Sequence, residues 1–202
     1  MSTYNNSHSK RRIGILSGSF NPIHIGHVML ASYISEFSDL DEIWLVVTPN
    51  NPLKSSMTMV DENLRLDMVK NSLKEYDNIR VSDIEFDMPR PSYTINTLER
   101  LSSQYLDCYF TLIIGADNWT NFYRWKDYRK ILNSHDLLIY PRLGSDVIIP
   151  DNLSNKVKLI HAPIIEISST FIRKSVAEGK DIRAFVPDYV YDTIKKNNLY
   201  MQ

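Results

Sequence analysis

Six short apolar runs, separated by stretches with helical spacing, constrain this chain more than any single motif does. The runs are Ile13 to Leu16, Ile43 to Thr48, Ile79 to Phe86, Tyr109 to Ile114, Leu137 to Tyr140 and Val157 to Ile160. Apolar runs of roughly four to eight residues read as buried strands. Between them Leu30, Ile34 and Phe37, then Leu64, Met68 and Leu73, then Leu98, Leu101 and Tyr105 fall on one helical face each. Strand and helix in alternation build βαβ units, so an α/β fold is expected, with a mostly parallel sheet and helices on both faces. Crossovers of this kind are right-handed, and ligands sit beyond the carboxyl ends of the strands. Towards the end, Ser168-Ser169-Thr170 opens a helix running through Val176, with Gly179 as its stop, and a last helix starts at Pro187 carrying Val190 and Ile194.

The 202 residues hold no repeat, low-complexity tract or composition break. We therefore expect residues 1–11 to form a flexible leader and residues 12–202 a single domain. A net charge of -1 speaks against a footprint for long nucleic acid, which needs a basic excess on one face. A single cysteine excludes an internal disulfide framework and suits a reducing compartment. The apolar stretch after Lys10-Arg11-Arg12 is too short for a signal peptide or a membrane span, so a cytoplasmic protein is expected. A homo-oligomer is compatible with these features.

The first strand runs into Gly18-Ser19-Phe20-Asn21-Pro22-Ile23-His24-Ile25-Gly26-His27. A glycine-containing loop that opens a helix aims unpaired N–H groups and the positive end of the helix dipole at whatever anion lies above it. Two imidazoles placed there would meet a phosphate. Metal binding is the competing use of the pair, but Cys108, His8, His135 and His161 show no zinc-type spacing around it. A second candidate is Ile167-Ser168-Ser169-Thr170-Phe171-Ile172-Arg173, a hydroxyl-rich helix start with an arginine one turn in. Its hydroxyls can cap free amides or take phosphate oxygens.

The first segment resembles the HxGH signature of the adenylyl- and cytidylyltransferase superfamily, G-x-F-[DN]-P-x-[HT]-x-G-H, and satisfies every position. The second is similar to the ISSTxIR signature that pairs with it, in the family order. Further stretches narrow the resemblance to the nicotinate-mononucleotide adenylyltransferases. Gly115-Ala116-Asp117-Asn118 with Trp125 looks like the family's GxDxxxxxxxW, and Ser92-Tyr93-Thr94-Ile95-Asn96-Thr97-Leu98 is similar to its SYTxxTL segment. Pro49-Asn50-Asn51-Pro52-Leu53-Lys54 resembles its P-P-H-K loop, and Pro141-Arg142-Leu143-Gly144 its R-x-G turn. Leu53, Lys126 and Asn21 depart from the residues most common there: a histidine, an aromatic and an aspartate.

The resemblance implies a Rossmann-like nucleotidyltransferase fold, with ATP and nicotinate mononucleotide as substrates. It places His24, His27 and Arg173 in catalysis. ATP would be held by Gly18, Ser19, Phe20, Gly26, Gly115, Asp117, Ile167, Ser168, Ser169 and Thr170, with Asp117 on the ribose hydroxyls. The mononucleotide would be held by Asn21, Lys54, Tyr93, Thr94, Ile95, Trp125, Lys126 and Arg142. Within that set Trp125 would stack on the pyridine, Thr94 and amides near Ile95 and Lys126 would read its carboxylate, and Lys54 and Arg142 would hold its phosphate.

A phosphate monoester has a second pKa of about 6, so its oxygen is already an anionic nucleophile near neutral pH. The chain needs no catalytic base, and it carries neither a hydrolase triad pattern nor a P-loop. Mg²⁺ is expected with the ATP, held by phosphate oxygens and water rather than by protein side chains. Another acceptor, such as nicotinamide mononucleotide or phosphopantetheine, and a non-catalytic nucleotide sensor are the competing readings.

Overall fold

The computed structural model describes residues 10–49 and 59–201. Six strands form one sheet: β1 (Arg11–Gly18), β2 (Glu42–Val47), β3 (Ile79–Ser82), β4 (Cys108–Gly115), β5 (Asp136–Tyr140) and β6 (Val157–Leu159). Every pairing is parallel and the order is β3-β2-β1-β4-β5-β6, the doubly wound arrangement. The chain leaves β1 in one direction and β4 in the other, so a crevice opens between their carboxyl ends, which are the glycines Gly18 and Gly115.

Side chains along a strand alternate between faces, and two cores follow from that. On one face Leu16, Ile43, Leu45, Val47 and Ile113 pack against α1 (Ile25–Phe37), α2 (Glu62–Leu73), α6 (Ser169–Ala177) and α7 (Asp188–Lys196). On the other, Ile13, Ile15, Trp44, Val46, Leu112 and Ile114 pack against α3 (Thr94–Gln104), the short α4 (Ala116–Thr120) and α5 (Tyr128–Ser134). Near-continuous apolar strands are what a sheet covered on both sides requires.

Two expectations are corrected. The run Ile79 to Phe86 is a strand only as far as Ser82, because Phe86 N–H bonds Asp83 O at 2.8 Å in a turn that carries Glu85 inward. Phe37 does not cover the sheet. It is 70% exposed and stacks on Tyr33 with ring centroids 4.6 Å apart. The first strand begins at Arg11, whose guanidinium pairs with Glu42 at 2.7 Å.

Candidate active site

His24 is the N-cap of α1 in extended backbone, and its N–H donates to His27 Nδ1 at 3.3 Å. A neutral His27 with Nδ1 accepting carries its ring proton on Nε2, a donor suited to a phosphate oxygen. The two imidazoles stack with centroids 3.7 Å apart, and Phe20 meets His27 edge-on at 5.0 Å. Position 26 is tight: a Cβ there would lie 3.1 Å from both Cε1 and Nδ1 of His24, which would have to shift by a few tenths of an ångström. His24 is buried, and among the described residues its Nδ1 has no hydrogen-bond partner. Burial, aided by the positive charge of Arg142, pushes its pKa down to about 4, so the ring is neutral near pH 7.

The late motif closes on this loop. Ser168 caps α6 by accepting from Phe171 N–H at 3.1 Å, which leaves Ser169 and Arg173 to face the early motif. Ser169 Oγ donates to Pro22 O at 2.8 Å and Arg173 Nη1 donates to Asn21 O at 2.8 Å. Arg173 Nη2 also reaches Thr170 Oγ1 at 3.2 Å. The two segments thus share a cleft of about 460 Å³, lined by Ser19, Asn21, His24, His27, Ile167 to Thr170, Arg173, Met59 and Arg142.

Arg142 lines the cleft beside His24 and the late motif. Its Nε lies 3.8 Å from Asp117 Oδ1 and its Nη2 donates to the Tyr140 hydroxyl at 3.1 Å. Gly115 makes room for that pair, since a Cβ would collide with Asp117 Oδ1 and approach Arg142 Cγ to 3.3 Å. Arg142 and Gly144 form a tight turn, with Gly144 at φ +74° and Ser145 N–H bonded to Arg142 O at 3.2 Å. The expected R-x-G turn is present, and its arginine lines the same cleft as His24.

Tyr93, Thr94 and Ile95, expected to meet the mononucleotide, lie at the start of α3. Tyr93 is its N-cap, and the first-turn amides of Thr94 and Ile95 point beyond the helix end. Ser92 and Thr97 both donate to buried Glu85, each at 2.7 Å, which explains two positions of the SYTxxTL segment. Lys126 Nζ lies 4.4 Å from the Tyr93 ring centroid. Trp125 is half-buried and leans on Phe122 at 5.2 Å, so part of this aromatic group serves the core. Lys54 and the rest of its loop from residue 50 lie outside the described residues.

Three residues here had no motif to announce them. Arg65 is fully buried on α2 and donates to Ser19 O at 2.5 Å, Thr48 O at 2.9 Å, Pro49 O at 2.7 Å and Val60 O at 3.0 Å. Glu85 holds the start of α3, and Tyr200 reaches Asn21. A charged residue at a helical core position was the one available signal for Arg65.

Residues 15–175 match the family model described as cytidylyltransferase-like, and the chain belongs to that family. A relative from Flavobacterium johnsoniae is 46% identical over 94% of this chain and 98% of its own length, and one from Bacteroides fragilis is 50% identical over 92% of each. Both are named probable nicotinate-nucleotide adenylyltransferase, and at this identity and coverage the chain is a member of the nicotinate-nucleotide adenylyltransferase group. The fold is also that of a solved Plasmodium falciparum nicotinic acid mononucleotide adenylyltransferase complexed with NaAD. That structure has a TM-score of 0.77 at 24% identity, over 94% of this chain and 97% of that one.

Proposed function

We infer that this protein transfers the adenylyl group of ATP to nicotinate mononucleotide, yielding nicotinate adenine dinucleotide and pyrophosphate in NAD biosynthesis. The observation that carries the reading is the junction of the two motifs, where Ser169 and Arg173 bond the carbonyls of Pro22 and Asn21 at the edge of one cleft. The acceptor class is supported by the names of relatives at 42–50% identity over most of the chain.

In the reaction a mononucleotide phosphate oxygen forms a bond to the α-phosphorus of ATP as the bond from that phosphorus to the bridging oxygen of the β-phosphate breaks. The electron pair leaves with pyrophosphate. Positioning and charge neutralisation are the work required. His27 and neutral His24 donate to the α-phosphate, while Arg173, Ser169 and Thr170 brace the departing phosphates. Asp117 takes the ribose hydroxyls, Trp125 covers the pyridine, and the α3 amides with Lys126 read its carboxylate. Arg142, next to Asp117 and His24, is placed to neutralise phosphate from either substrate. The cleft is lined by imidazole, guanidinium and hydroxyl groups, so Mg²⁺ accompanying ATP would be held by phosphate oxygens and would supply charge neutralisation on the departing pyrophosphate.

The test is pyrophosphate release from ATP with nicotinate mononucleotide, nicotinamide mononucleotide and phosphopantetheine side by side. The acid mononucleotide should be preferred clearly. Faster turnover with either competitor would reassign the acceptor, and nucleotide binding without pyrophosphate under any acceptor would make the protein a sensor.

A further inference from the structure

Tyr200 stands outside every motif described above, yet it brings the end of the chain onto the phosphate loop. Its hydroxyl donates to Asn21 Oδ1 at 2.8 Å, and Val60 N–H donates to the same oxygen at 3.3 Å. Asn21 is 5% exposed and lines the cleft. Its backbone carbonyl receives Arg173 Nη1, and the carbonyl of the next residue receives Ser169 Oγ. Three distant parts of the chain therefore converge on one residue.

The tail is bent for this contact. Tyr200 sits at φ +62° and Asn198 at φ +51°, in the left-handed region that a bulky side chain adopts rarely. Leu199 N–H bonds Ile194 O at 3.0 Å, and Tyr200 packs against the core on the α1 and α7 face of the sheet. Burial raises the pKa of the phenol against the opposing influence of Arg173 and Arg65, so the hydroxyl stays protonated and remains a donor at neutral pH.

We propose that Tyr200 is a positioning residue for adenylyl transfer, fixing Asn21 by its hydroxyl and, through the Asn21 carbonyl, the guanidinium of Arg173. The inference rests on the reading of the cleft given under Proposed function. Removing the hydroxyl takes away the shorter of the Tyr200 and Val60 hydrogen bonds to Asn21 Oδ1, and the looser hold on residue 21 is passed to Arg173 through the Asn21 carbonyl. Misplacement of a catalytic group by a fraction of an ångström is costly, since about 1 Å can cost a hundredfold.

The experiment is steady-state kinetics of the full chain carrying Tyr200→Phe, which removes one oxygen and keeps the ring. We expect kcat to fall about tenfold, KM for ATP to stay within about twofold, and the melting temperature to hold within a few degrees. In a double-mutant cycle, Asn21→Ala should cost more, and adding Tyr200→Phe to it should cost nothing further. A kcat for Tyr200→Phe within about twofold of wild type would overturn the proposal, as would additive losses in the cycle. A loss seen only in Tyr200→Leu would show that the ring's packing is what matters, again overturning it. Failure of the wild-type protein to form dinucleotide would instead remove the reading of the cleft on which the proposal rests.

Discussion

His24 gives the account its most quantitative consequence. In the unfolded chain its pKa is near 6.5, and in the folded cleft it is about 4. The native state therefore binds a proton less readily than the unfolded state does. Its contribution is fully present above the unfolded value and is lost as pH falls through the window from about 6.5 to about 4. The full shift corresponds to about 3 kcal/mol, and the part lost between pH 7 and pH 5 is about 2 kcal/mol. For a domain of this size that is roughly 4–8 °C in melting temperature. His135 is also depressed by burial, so wild type alone would not isolate His24. The perturbation is His24→Gln, with urea or thermal unfolding of both proteins at pH 7 and pH 5. Wild type should lose about 2 kcal/mol more than the variant over that interval. An equal loss in the two proteins would refute a buried, neutral His24.

Three further outcomes are expected. Gly26→Ala should lower kcat about tenfold with little change in KM, because the new Cβ at 3.1 Å pushes the His24 ring by a few tenths of an ångström against its stack with His27; a wild-type kcat would show that the exact ring position is not needed. Trp125→Ala should raise KM for nicotinate mononucleotide far more than KM for ATP, and equal changes in initial-rate kinetics would contradict pyridine stacking. Glu85→Ala removes the acceptor shared by two buried hydroxyls at the start of α3, of which Thr97 keeps the Tyr93 carbonyl at 3.4 Å, so it should cost about 1–3 kcal/mol of stability in denaturant melts and raise the acceptor KM more than that of ATP; a melt and KM values matching wild type would remove Glu85 from the support of that helix.

Much of the fold was legible because the sheet is covered on both faces. That makes its strands apolar throughout, and such runs stand out between helical segments. The runs misled where a polar contact overrode pattern: Glu85, drawn inside by Ser92 and Thr97, ended β3 early. Phe37 misled in the opposite sense, since helical spacing cannot tell the last turn of α1 from a turn against the sheet. The phosphate cleft was readable from both ends because glycines, histidines and hydroxyls are dictated by local geometry at a helix start. Arg65, Glu85 and Tyr200 were not. Each acquires its meaning from partners far away in sequence, as Tyr200 does from Asn21, and no spacing rule encodes such contacts. The short α4 and α5 offered too few residues for any periodicity.

On the reading proposed here, the cleft joining the two motifs directs attack to the α-phosphorus of ATP. The direct measurement follows radiolabel from [α-³²P]ATP and [γ-³²P]ATP in parallel with nicotinate mononucleotide. All α label should enter the dinucleotide and all γ label should leave as pyrophosphate, in equal amounts. Label from the γ position in the acceptor, or released as orthophosphate, would contradict the account.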